Sequence, residues 1–469
     1  MQFIINEEEF KKKYVIDKKN IKHKQPSNII ILPYVTGYVS ADREQIEKFS
    51  PCIGEFCRLM YNKKISSGQI KPENIDIFLD SIDIDSNYKV TLKRIIKELF
   101  FDENENIYIF HPKLLNYIHT PNVYYMKLSK FLYDVLLNDM DNIEIKKKVN
   151  DSFKYDSYNV MELLMLKSLP ELETVESSKS IYRCVCKNVS NLFKEDLEFI
   201  LSRPELITTE FEKLLKYYYF FYVSQLSMKL SDFFICDKNK TEELYFILDW
   251  EKVSKSRKSY RLGWKMLESH IKPLFSHVHT LEILNTNDST IKYDYEDLNK
   301  IINSLSDIEK DALYESIKKI KNIYVSSIND VQWDQYETQV EKYKGDNIKK
   351  EIYDLYRSID YQFNNSGRKG KYKNYKSWFE EYCKLNFLRK VGSLGNMLNI
   401  NQEQLLFITK LCIKKKSKMR VRDLFKEYKK RGIYFDRESQ LQIVELFEKL
   451  NVIEKKSDSG DAQYVKSIL

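Results

Sequence analysis

Residues 414–450 read KKKSKMRVRDLFKEYKKRGIYFDRESQLQIVELFEKL, and their periodicities set the fold expected for the C-terminal part of the chain. Val421, Leu424, Phe425 and Tyr428 recur at i, i+3, i+4 and i+7, one face of an amphipathic helix. Gly432 follows as a helix stop. Asp436 is placed to cap the next helix, with Ser439 as a second candidate, and that helix is expected to bury Ile443, Phe447 and Leu450 with Val444 beside them. Upstream, Leu405, Ile408 and Cys412 keep helical spacing, and Met419-Arg-Val421 is long enough for a minimal strand. Downstream, 452–455, the turn 457–460 and 463–468 read as a hairpin. Helix, short strand, helix, tight turn, helix, hairpin is the order of a winged helix-turn-helix, expected here over 401–469.

Charge points to the same region. The 469-residue chain has 77 basic and 69 acidic side chains, a net charge of +8. Residues 401–469 hold 16 basic and 10 acidic side chains, so +6 of that excess lies in this stretch. A localised excess is the footprint of a polyanion site. The residues expected to contact double-stranded DNA are Lys414, Lys415, Lys416, Lys418, Arg420 and Arg422 ahead of the second helix. Lys429, Lys430 and Arg431 at its end, Arg437 and Gln440 on the third helix, and Lys455 and Lys456 on the wing complete the set. Glu438, Glu445 and Glu448 on the third helix repel phosphate, so backbone contact with little base reading is the expected mode. Docking of a protein partner is the competing reading of the module.

The rest of the chain reads as a helical body. Only 11 glycines and 9 prolines punctuate it, and hydrophobic residues make up 43%, which favours long helices around a real core. Residues 1–40 are mixed, with a strand or an extended lead-in expected at 29–33. Val90, Ile95, Ile96 and Leu99 form a stripe, as do Leu128, Leu132 and Leu136. Ser202-Arg-Pro204 stops a short helix, and Thr208-Thr209-Glu210 opens a long one through LLKYYYFFYVSQL (214–226), whose aromatics on every side mean burial all round. That run is too short to span a bilayer; Lys213 and Lys229 bracket it and Lys216 falls within it. No membrane association is expected, and seven cysteines without a secretory signal read as reduced cytoplasmic thiols. Asn364-Asn-Ser-Gly-Arg-Lys-Gly370 reads as a linker. The expected organisation is a helical body at 1–363, a linker at 364–374, and a connecting helix plus winged helix at 375–469.

The middle and the end of the chain carry a resemblance. Residues 195–204, EDLEFILSRP, with 217–225, YYYFFYVSQ, 249–257, DWEKVSKSR, and 457–465, SDSGDAQYV, resemble the DNA phosphorothioation-dependent restriction protein DptG (DndG) family from about residue 180 onward. The resemblance implies a bacterial defence role. It implies a restriction complex of F, G and H subunits attacking DNA that lacks the sulfur mark, in which this chain would be the G subunit without a catalytic site of its own.

Enzymatic motifs are sparse. There is no GxxxxGK[ST] phosphate loop and no HExxH, and no cofactor is expected. Asp249-Trp-Glu251-Lys252 has the residue types of a Mg²⁺-dependent nuclease, provided a strand places both carboxylates on one face. His277-x-His279 would share a strand face but has no evident third metal ligand. Cys184-x-Cys186 and Cys52-x4-Cys57 read as structural thiols. Residues 254–261, SKSRKSYR, form a second basic stretch compatible with phosphate contact or with a solvated face.

Overall fold

A computed structural model describes residues 4–14, 21–37, 49–65, 70–80, 85–137, 147–148, 151, 160–287, 291–336, 343–455 and 463–468. The described chain is mainly helical. Helix α1 (Glu7–Tyr14) has glutamates in its first turn and lysines in its last, each matching the helix dipole. Of the two readings of 29–33, the strand reduces to a single bridge between Ile30 and Tyr182, and the segment is an extended lead-in. It is held by the buried Glu282 carboxylate, which accepts from the backbone N–H groups of Ser27, Asn28 and Ile29 and pairs with Lys13.

Helix α2 (Ser50–Tyr61) leads to β1 (Lys63–Lys64), followed by α3 (Pro72–Asp80), α4 (Ser86–Phe100), α5 (Val123–Leu137), α6 (Val160–Ser168) and β2 (Glu173–Thr174). β1 and β2 pair antiparallel. Leu79, Ile96, Phe100 and Met165 form a small second core between α3, α4 and α6. Of the stripe read on α4 only Ile96 is buried. Val90, Ile95 and Leu99 stand exposed, because the helix packs through its 92/96/100 face. On α5, Leu132 and Leu136 are fully buried as expected.

Helices α7 (Lys187–Leu201) and α8 (Pro204–Asp232) meet at the Ser202-Arg-Pro204 break. Proline takes the first helical turn of α8, where its missing N–H costs nothing. Thr208 and Thr209 therefore lie inside α8, each bonding back to the Glu205 carbonyl, and do not open it. Residues 217–230 of α8 are buried without interruption. Its tyrosines tolerate this because each hydroxyl finds a partner: Tyr218 donates to Asp196, Tyr222 accepts from the Val185 N–H, and Tyr219 meets the Tyr34 hydroxyl.

Then come β3 (Ile247–Leu248), α9 (Lys258–Arg261), α10 (Trp264–Ile271), α11 (Leu274–Leu284), α12 (Tyr295–Ser304), α13 (Asp307–Ser326), α14 (Asn347–Asn365) and α15 (Lys369–Asn386). Asp294 and Ser306 close capping boxes on α12 and α13. His277 and His279 lie on helix α11, not on a strand, and point into the core.

The expected linker at 364–374 is a correction. Asn365 ends α14 and Lys369 begins α15, so the connection is a three-residue helix–helix turn. Its charge is absorbed locally, since Arg368 pairs with Asp330 at 2.8 Å. Tyr372, Tyr375, Phe379 and Tyr382 of α15 pack into the same core as α8 and α11. The connecting helix ends at Asn386. It gives way to β4 (Leu388–Lys390) and β5 (Asn396–Ile400), which join β3 in a three-stranded sheet, parallel between β3 and β5 and antiparallel between β4 and β5.

The remaining elements are α16 (Gln402–Ile413), β6 (Lys418–Arg420), α17 (Val421–Lys430), α18 (Arg437–Lys449), β7 (Ile453–Lys455) and β8 (Gln463–Lys466). The last sheet runs in the order β6-β8-β7, antiparallel throughout, with Val465 opposite both Met419 and Ile453. Leu450 does not join the core of this unit. It caps α18 at the surface while Ile443 and Phe447 turn inward.

The C-terminal unit is fused to the body rather than tethered to it. Arg431 is 1% exposed and makes a two-pronged ion pair with Asp196 of α7, at 2.6 and 2.9 Å. Its carbonyl accepts from the Tyr217 hydroxyl on α8. Tyr434 exchanges backbone hydrogen bonds with Leu244 and Phe246 in a parallel bridge. Lys410 pairs with Glu210, and Lys213 with Glu403.

Candidate nucleic-acid interface

Helix α17 supplies the most one-sided surface of the C-terminal unit. Leu424 and Tyr428 are buried, with Val421 and Phe425 half-buried beside them. Arg422, Lys426, Lys429 and Lys430 fall at i, i+4, i+7 and i+8, so they share the opposite face, and all four are exposed. Lys429 and Lys430 also sit in the last turn, where the helix dipole favours cations. Asp423 and Glu427 are the acids within this helix, pairing with Lys426 at 3.0 Å and Lys430 at 2.7 Å. Lys426 belongs to the same face and was not among the residues expected from sequence. The spacing from Arg422 to Lys430 is the signal that identifies it.

The loop ahead of α17 is less uniform than its sequence. Lys415 and Lys416 are exposed and make no ion pair among the described residues. Lys414, held at φ 53° where α16 ends, turns inward to Glu195 at 3.3 Å and Asp196 at 3.1 Å. Lys418 pairs with Glu454 at 2.8 Å and lies over the Tyr464 ring. Arg420 lies over the same ring and donates to its hydroxyl.

Four expected contacts need separate treatment. Arg431 is corrected: a guanidinium buried against Asp196 and the Leu411 carbonyl is a structural residue and does not face solvent. Gln440, expected to face outward, is half-buried and donates to the Phe435 carbonyl. The Lys455 side chain and the whole of Lys456 lie outside the described residues, as does the turn at 457–460.

Helix α18 presents the opposite charge. Its exposed charges are Arg437 and Lys449 against Glu438, Glu445 and Glu448, a slight acidic excess, with Lys449 paired to Glu445 at 2.8 Å and Glu438 to Arg257 at 3.4 Å. Its N-terminal turn is occupied by the body. Asp436 caps the helix through the Ser439 N–H and is gripped by Arg257, while the Ser439 hydroxyl donates to Glu251 at 3.0 Å. The end of a helix that reads bases in a groove is its N-terminal end. Here that end is packed against 251–257.

This packing also separates the carboxylates considered for metal-dependent cleavage. Asp249 accepts from the Asn399 amide, whereas Glu251 is buried against Arg257 at 2.9 Å and Ser439. Burial raises the Glu251 carboxyl, opposed by the hydrogen bond from Ser439 and the Arg257 charge. The two carboxylates are thus engaged by different partners. His277 and His279 are committed to the Tyr295 and Tyr14 hydroxyls, both at 3.2 Å. No group of three or more His, Cys, Asp or Glu side chains among the described residues is arranged to hold a metal ion. No described helix is long and apolar enough to cross a membrane. Compared with known proteins, the chain matches no family model and no curated protein.

Proposed function

We propose that the chain is a non-catalytic, DNA-contacting and assembly subunit of a DNA phosphorothioation-dependent restriction complex, working with that system's F and H subunits on DNA that lacks the sulfur mark. The observation that carries DNA contact is the cationic face of α17: Arg422, Lys426, Lys429 and Lys430 on one exposed stripe, continued by Lys415 and Lys416. The element order α16-β6-α17-α18-β7-β8 and the sheet order β6-β8-β7 support reading the unit as a winged helix-turn-helix. In this reading its second helix, not its third, meets the phosphates. The DptG resemblance supplies the restriction system, the defence role and the partners. The acidic outer face of α18 favours protein docking there, so the module serves both roles through different helices.

Phosphate contacts release counterions, so binding to duplex DNA weakens steeply with salt and varies little with sequence. Anisotropy titrations of a duplex across a salt series test this. Arg422→Glu with Lys426→Glu removes about two phosphate contacts and lowers the log–log salt slope by roughly two units. Lys415→Glu, Lys416→Glu and Arg420→Glu together lower it by up to about three. Gln440→Ala with Gln442→Ala leaves it nearly unchanged. Loss of binding in the glutamine variant, with binding kept in the charge-reversed ones, sinks the reading. Co-expression with the F and H subunits tests assembly: a co-purifying complex supports it, and persistent separation with and without DNA rejects it.

A further inference from the structure

Residues 252–266, KVSKSRKSYRLGWKM, contain six basic side chains and no acidic one. Arg257 is buried in its ion pairs, but Lys252, Lys255, Lys258, Arg261 and Lys265 are all exposed and make no ion pair among the described residues. The fold brings this run beside the C-terminal unit through the backbone of residues 244–246. The Tyr245 N–H donates to the Leu262 carbonyl at 3.0 Å, and the Phe246 N–H to the Tyr434 carbonyl at 2.9 Å. Gly263 permits the approach, since a Cβ there would lie 2.4 Å from the Ser259 carbonyl oxygen and 2.8 Å from that of Tyr245.

The join creates an alternation of rings and ammonium groups that neither segment has alone. Lys258 lies 5.6 Å over the Tyr245 ring, Tyr245 packs on Tyr434 with centroids 5.6 Å apart, and Lys429 lies 5.7 Å over Tyr434. Lys265 lies 5.6 Å over Tyr260. Tyr434 and Tyr260 are half-buried, whereas Tyr245 is nearly covered and supports them. Three carboxylates lie near this patch: Glu243, engaged by the Tyr245 hydroxyl at 3.2 Å, Glu242 near Tyr434, and Asp436 near Tyr245, the last held by Arg257.

We infer that this patch, Tyr434 and Tyr260 flanked by Lys258, Lys265, Arg261 and Lys429, binds single-stranded nucleic acid. The chemistry separates a single strand from a duplex. Cations beside half-buried tyrosine rings that keep part of a face open suit a strand whose phosphates meet the ammonium groups while unpaired bases take the ring faces. Bases stacked inside a duplex cannot reach those faces. A lysine lying over a ring holds that face by a weak exposed cation–π contact, so a base displaces it and the ammonium swings to the adjoining phosphate. The patch is distinct from the α17 stripe apart from Lys429, and the inference goes beyond duplex contact.

The test is anisotropy of the full chain with a fluorescein-labelled 15-nucleotide oligo-dT, alongside the duplex. Lys258→Glu with Lys265→Glu weakens oligo-dT binding more than about tenfold, and Tyr260→Leu weakens it roughly fivefold or more. Both leave duplex binding within about twofold. Arg422→Glu with Lys426→Glu gives the reverse pattern, which separates failure of this inference from failure of the duplex reading. Tyr434→Phe, which keeps the ring and the backbone bridge, preserves oligo-dT binding. Absence of oligo-dT binding by the unaltered chain overturns the inference. So does loss on charge reversal without loss in Tyr260→Leu, since the contact is then electrostatic and no base stacks.

Discussion

At the scale of single residues, Arg431 shows how far local sequence can mislead. It stands in a run of lysines, Lys429-Lys-Arg431, and shares their chemistry, yet it is the one directed into the core against Asp196. Removing one partner of a buried pair strands the other charge, at a typical cost of about 3–5 kcal/mol. Arg431→Met is therefore expected to lower the urea midpoint sharply while leaving the salt slope of DNA binding unchanged. An unaltered midpoint with a lower slope would return Arg431 to the interface. His279 gives a second residue-scale expectation. Burial pushes its imidazole down to about 3, and burial lowers His23, whose ring centroid lies 5.0 Å away, as well. The unfolded state binds these protons first, near the ordinary histidine value of about 6.5. Stability is thus complete above about pH 6.5 and falls as pH drops toward the folded-state values, by about 1.4 kcal/mol per pH unit for each histidine that must stay neutral. Urea melts at pH 7.5, 5.5 and 4.5 should show this decline, and His279→Gln should flatten it.

At the scale of elements, amphipathic spacing was a reliable guide where a helix has one wet face and one dry face. The α17 register, with Leu424 and Tyr428 inside, was legible from sequence for that reason. It failed on α4, where three apolar residues of one stripe face solvent, and at 396–400, where a five-residue strand carries too few positions for its period to be read. The turn between α17 and α18 depends on one residue. Gly432 has φ +73°, and a Cβ there would lie 2.5 Å from Cε2 of Phe221 on α8. Gly432→Ala carries both backbone strain, about 1–3 kcal/mol, and a collision with the central helix. It is expected to lower the melting temperature by several degrees, and an unchanged melting temperature would mean that α8 and the turn are not in contact.

At the scale of the whole molecule, the C-terminal unit has no independence to release. Ion pairs, the Tyr434 backbone bridge and the α15 aromatics tie it to α7, α8 and α11. Limited proteolysis of the full chain is expected to leave the 366–368 turn uncut, and heating is expected to unfold body and C-terminal unit in one transition. A stable fragment beginning near residue 370 would show that the shared core is not cooperative. The orientation this imposes leaves the α17 stripe and the 252–265 lysines exposed and sets Asp436 and Ser439, at the start of α18, against the body.

The sequence by itself determined the helical character, the buried central helix, the order of elements after residue 401 and the localised positive charge. These follow from scarce glycine and proline, from aromatics on every side of 214–226 and from apolar periods that local backbone geometry enforces. What only the tertiary structure decided is which members of each charge run reach solvent. It also decided that 366–368 is a helix–helix turn, that Asp249 and Glu251 are held by different partners, and that Tyr245 meets Tyr434 across 189 positions of chain. The physical reason is that period and composition are properties of neighbours in the chain. An ion pair such as Arg257 with Asp436, or a ring contact such as Tyr245 with Tyr434, exists only once distant segments share a core and compete for the same desolvated space.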